Sequence, residues 1–158
     1  MTRAGLVSVL ICGERLRGDD GAAVLAAALL TDDVTPLASI NEVGQLSVEA
    51  LLATPPDAAV IVVDSALGIA PGQVVELPLS ALACEAGNDA APASTHAMPA
   101  HQVLTLAAEL RGTPLCGTFV GLGGMAFGFG EELSPAVAAG LPEFAAAIES
   151  EIRRLAAG

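Results

Sequence analysis

The chain has 158 residues, and its 18 acidic side chains against 6 basic ones give a formal net charge of −12. All the basic residues are arginine, and so acidic a surface repels nucleic-acid phosphates and anionic lipid, which excludes nucleic-acid binding. Mean hydropathy is +0.65, but the excess is mostly alanine, and no uncharged apolar run nears the roughly 20 residues of a spanning helix.

The opening "MTRAGLVSVLICGERLRGDD" loosely imitates a signal peptide. Its apolar part is short, no small-residue cleavage site follows, and charges arrive at once. It reads as a first buried strand in a soluble, cytoplasmic protein. Cys12, Cys84 and Cys116 are far apart and odd in number, with no C-x-x-C pair, so neither a disulfide framework nor a thiolate zinc site is expected. Cys12 and Cys116 sit in apolar runs and read as small core residues.

In chain order, "LVSVLIC" predicts a buried strand and "DDGAAVLAAALLTDD" a helix with acids in its first turn. "LASINEV" predicts a short strand, and "QLSVEALLA", after Gly44, a short helix. "AAVIVVDSA" is the strongest strand, β-branched and apolar on both faces. "GQVVELPL" predicts another strand near an edge, because Pro78 cannot donate to a ladder. "ACEAGNDAAPASTHAMP" is rich in small, polar and turn residues and reads as a mobile loop. "AHQVLTLAAELRG" predicts a helix with Val103, Leu106 and Leu110 on one stripe and Gly112 as its stop. "LCGTFVGLGG" predicts a strand ending in glycines. The last helix opens at Ser134 as N-cap with Pro135 in its first position, is split or kinked by Pro142, and carries Arg153 and Arg154 near its negative end.

This alternation predicts an α/β fold over 1–158 as one domain: three layers, a mostly parallel twisted sheet of about five strands with helices on both faces. In such sheets ligands bind beyond the carboxyl ends of the strands. There the first strand runs into Asp19 and Asp20, the third ends at Asp64, and the long loop delivers His96 just before a helix. Each has a bland use: a helix cap for either aspartate, a turn bond for Asp64, exposure in a loop for His96. One cap, however, explains one aspartate and not two. Two carboxylates and an imidazole form a ligand set suited to a borderline divalent ion such as nickel, zinc or manganese. Asp20, Asp64 and His96 are thus the candidate metal-contacting residues, and the catalytic role stays open among the same three. His101 is five residues further, about 140° around the helix, and is expected at the surface or behind the site.

Other chemistries fit less well. "CGERLRGDDG" lacks G-x-G-x-x-G, and its acids oppose a phosphate. H-E-x-x-H and G-x-S-x-G are absent, and Ser65 lacks the context of a nucleophile. A receiver domain needs a lysine that this chain does not have.

The ordered set resembles the hydrogenase maturation proteases, endopeptidases that trim the large subunit of nickel-iron hydrogenases. The residues that carry the likeness are "LICGERLRGDDGAA", "EVGQLSVEALLA", "VIVVDSALGIAPGQV", "STHAMPAHQVLTLAAEL" and "FVGLGGMAFGFGEELSPAV". Where the family usually has asparagine after the first-strand glycine, this chain has Glu14, and the loop after its last strand is the bare "GLGGMAFGFG". The resemblance implies that Asp20, Asp64 and His96 recognise nickel carried by the substrate, with no tightly bound cofactor of the protein's own. It implies one cut that removes a C-terminal extension from the hydrogenase precursor after nickel insertion. Glu14, Asp19, Gly44 and Thr95 are expected to border the substrate, with Asp19 also serving the loop and helix start. A monomer is expected. A non-catalytic metal-dependent chaperone or binding module on the same fold is the alternative, and a structural domain whose acids are only caps is a third reading.

Overall fold

The computed structural model describes residues 6–84, 99–130 and 132–158. The apolar runs form strands β1 (Val7–Cys12), β2 (Ser39–Gly44), β3 (Ala59–Ala66), β4 (Val74–Pro78) and β5 (Gly117–Gly123). Between them lie helices α1 (Ala22–Ala27), α2 (Val48–Leu52), α3 (Leu79–Cys84), α4 (Ala100–Arg111) and α5 (Pro135–Ala156). The strands make one sheet in the order β2-β1-β3-β5-β4. Its first three pairings are parallel, and β4 runs antiparallel to β5 at the edge, where Pro78 is tolerated.

Strand alternation sorts the core onto two faces. Val9 and Ile11, Ile61 and Val63, and Val120 and Leu122 pack against α1 and α5, with Phe144, Ile148 and Ile152 fully buried. Leu10 and Cys12, Val60 and Val62, and Phe119 face the other way, against Leu51 of α2, Leu79 and Leu82 of α3, and Val103, Leu104 and Ala107 of α4. The three-layer, mostly parallel α/β arrangement is as the sequence predicts. Among the described residues no helix is long and apolar enough to cross a membrane.

Local details depart from the sequence reading, each for a physical reason. The first helix is shorter: a 3₁₀ turn at Gly18–Gly21 leads into α1, which stops at Ala27 rather than near Asp33. Leu29 is exposed, and the amides of Leu29 and Leu30 donate to the carbonyls three residues back, so the last turn tightens instead of propagating. α3 appears where strand and loop were expected, because Leu79 and Leu82, one helical turn apart, both reach the core. On α4 the buried stripe is Val103, Leu104 and Ala107, while Leu106 and Leu110 face outward. The face that meets α2, α3 and the core carries Val103, Leu104 and Ala107, which leaves Leu106 and Leu110 to solvent. Cys116 is exposed rather than in the core, since β5 begins one residue later. α5 runs unbroken through Pro142.

Two ties anchor the helices. Arg111 donates to the carbonyl oxygens of Leu51 and Thr54, at 2.9 and 2.7 Å, closing the end of α2. Buried Glu151 of α5 accepts from the Thr118 hydroxyl of β5 at 2.6 Å and pairs with Arg154.

Candidate active site

The carboxyl ends of β1 and β3 meet the 3₁₀ turn, and this junction holds the acids. Gly13 follows β1 with φ of +113°, and its amide donates to the Gly44 carbonyl at 2.6 Å. A β-carbon at Gly13 would lie 1.9 Å from the Asp20 carbonyl oxygen, so only glycine lets the chain pass so close. Gly44 itself has φ of +69° where the β1–β2 register shifts between Ile11 and Cys12. Both glycines therefore shape the turn that carries Asp20.

Asp20 is 2% exposed and is held at both oxygens. The Glu14 amide donates to Oδ2 at 3.0 Å, and the Ser65 hydroxyl lies 3.4 Å from Oδ1. Asp64, 8% exposed and two residues before the end of β3, accepts the Ser65 amide on Oδ1 at 2.8 Å. Ser65 thus touches both carboxylates, one through its side chain and one through its backbone. Burial pushes the Cys12 thiol well above its ordinary range, and the negative charges of Asp64 and Asp20 push it further, which keeps it protonated beneath the acids.

Asp19 points elsewhere. It is 0% exposed, and its carboxylate accepts the amides of Met125 and Ala126 at 2.9 Å, the Ser134 amide at 2.7 Å and the Ser134 hydroxyl at 2.8 Å. Burial acts to raise its pKa, but the bonds from Met125, Ala126 and Ser134 outweigh it and hold the group below the usual carboxylate range. Of the two roles expected for Asp19, this placement supports the loop and helix start. Ser134 does stand at the N-cap of α5, yet its hydroxyl is turned to Asp19 rather than to its own helix.

The structure thus brings Asp20 and Asp64 together and separates Asp19 from them. Glu14 is exposed and contributes its amide to Asp20. His96 and Thr95 lie outside the described residues. Among the described residues no three His, Cys, Asp or Glu side chains are placed to hold a metal ion. The contributions of Ser65 and Ser134 were missed by sequence reasoning. The surplus aspartate was the one signal for Ser134; Ser65 had been weighed only as a nucleophile.

No family profile matches the sequence, and no curated protein does. Solved structures do. The NiFe hydrogenase maturation protease HybD from Thermococcus kodakarensis shares 25% identity with a TM-score of 0.72, covering 91% of this chain and 97% of that one. The hydrogenase maturating endopeptidase HybD from E. coli is 20% identical with a TM-score of 0.74, covering 94% of this chain and 92% of its own. HycI from Thermococcus kodakarensis KOD1, also a NiFe hydrogenase maturation protease, is 24% identical with a TM-score of 0.65, over 96% and 94%. The fold is therefore that of the hydrogenase maturation proteases, shared over nearly the whole of each chain. The family likeness carried by the ordered sequence motifs and the likeness of the structure agree.

Proposed function

We propose that this protein, a peptidase of the hydrogenase maturation type, removes the C-terminal extension of a NiFe hydrogenase large-subunit precursor once nickel is in place. The observation that carries the reading is the convergence of Asp20 and Asp64 on Ser65 at the carboxyl edge of the sheet. Two nearly buried carboxylates side by side repel one another, and a cation arriving with the substrate relieves that. Carboxylate oxygens suit a divalent ion, and an imidazole, as expected of His96 from the sequence, is a further ligand of the kind such an ion takes. In this reading the metal arrives on the substrate and is held jointly with it, which makes its recognition a checkpoint on nickel insertion. A metal held there would polarise the scissile carbonyl or activate the attacking water.

The test is a processing assay with a large-subunit precursor, with and without nickel, followed by intact mass. A single C-terminal cut confined to the nickel-loaded sample is expected, and Asp64→Asn should keep the fold and abolish the cut. Wild-type processing by that variant would remove Asp64 from the site. Binding without a cut would favour the non-catalytic metal-dependent chaperone.

A further inference from the structure

Beside the acids stands an apolar surface that the fold does not use. Leu16 is 56% exposed, Met125 63% and Phe129 100%. They sit on the loops after β1 and β5, which are fastened to each other through the backbone. Gly18 donates to the Gly130 carbonyl at 2.8 Å, Gly130 to the Leu16 carbonyl at 2.9 Å, and Asp19 to the Ala126 carbonyl at 2.8 Å. Arg17 and Gly130 form a parallel bridge. Leu16 and Phe129 each directly precede one of the two bridged residues, so both are displayed from the same pair of tied loops. Beneath them Asp19 fixes the amides of Met125 and Ala126. The backbone is held while the large apolar side chains stay in water, which is how a binding surface differs from loose packing.

We infer that Leu16, Met125 and Phe129 form a docking platform for the protein substrate. The inference rests on the reading above and names the surface through which that substrate is gripped. Continuity with the site identifies the occupant. The loop that displays Leu16 also supplies the Glu14 amide that holds Asp20, and the loop that displays Met125 is held by Asp19. A folded protein that brings its metal to Asp20 presses on this rim. Charge narrows the chemistry: Leu16 lies between exposed Arg15 and Arg17, two of the six arginines in a chain of net charge −12. The complementary surface is an apolar patch with carboxylates beside it.

The experiment compares wild type, Phe129→Ser, Leu16→Ser and Arg17→Glu with Leu110→Ser, which removes an equally exposed leucine from α4. The probe is the nickel-loaded large-subunit precursor, and KM is separated from kcat. Each platform variant should raise KM by about tenfold, mostly without loss of melting temperature, as removal of an interface anchor does. Leu110→Ser should match wild type. If wild type processes the precursor and the platform variants keep its KM, the platform is wrong and the peptidase reading stands. If wild type neither binds nor cuts the precursor, both fall together.

Discussion

Asp19 and Ser134 are 115 residues apart in the chain and are joined twice, the Ser134 amide to Oδ1 and its hydroxyl to Oδ2. With the amides of Met125 and Ala126, the bonds tie the loop after β1 to the start of α5. Asp19→Ala deletes a buried carboxylate that accepts four bonds, from donors on exposed or half-buried residues that water can partly satisfy. Unfolding in urea should show a loss of about 2–3 kcal/mol, since a hydrogen bond to a charged group contributes about 1.5–3 kcal/mol. A loss under about 1 kcal/mol, the size of a simple helix cap, would reduce Asp19 to one.

Stability should also fall in acid, with a known sign. The pKa of Asp19 is lowered in the fold, where the bonds it accepts outweigh burial. That of Glu151 is lowered too, first by the Arg154 hydrogen bond, against burial, with help from Thr118 and the Arg154 charge. A carboxylate whose folded pKa is depressed contributes stability that is full above its unfolded pKa and is lost as pH falls through the folded value. Melting temperatures taken from neutral pH downward should therefore drop in the acid range. Asp19→Asn should flatten that drop. An unchanged slope in the variant would contradict the assignment.

Gly13→Ala should damage fold and site at once. The added carbon meets the Asp20 carbonyl at 1.9 Å, at a φ that other residues rarely adopt. Relief requires moving the turn that carries Asp20. Both melting temperature and precursor processing should fall, and a variant that keeps full processing would show that the turn tolerates displacement.

Ser65→Ala separates positioning from stability. The lost hydroxyl bond is long, 3.4 Å, so the expected stability change is about 1 kcal/mol or less. Processing should fall several-fold because Asp20 Oδ1 is no longer oriented. Ser65→Thr, which keeps the hydroxyl, should recover part of it. Equal rates for Ala and Thr would mean that Ser65 merely fills space.

Much of the sheet was legible because buried parallel strands are written as uninterrupted apolar runs. β3 stands out for that reason, although it runs two residues past Asp64 instead of ending there, and Pro78 marks the edge by the donor it lacks. The stop of α4 was equally plain, with Gly112 in the left-handed region at φ of +81°. Which face of α4 is buried was not legible. Leu106 and Leu110 compete with Leu104 on size, and only the packing partners, which include α2 and α3, choose among them. The acid pair was visible as a surplus, yet the division of labour between Asp19 and Asp20 depends on Ser134, which local pattern cannot reach.

The strand order has a consequence for the chain as it is made. β4 has β5 as its neighbour, and β3 needs β5 on one side, but β5 is synthesised only after α3 and α4. A chain that has not yet reached Gly117 carries β3, the longest strand, with an open ladder. Such an edge pairs readily with other chains. Premature termination before β5 should therefore yield aggregates instead of a smaller folded unit, and a ribosome pause in that stretch would be a hazard for the nascent protein.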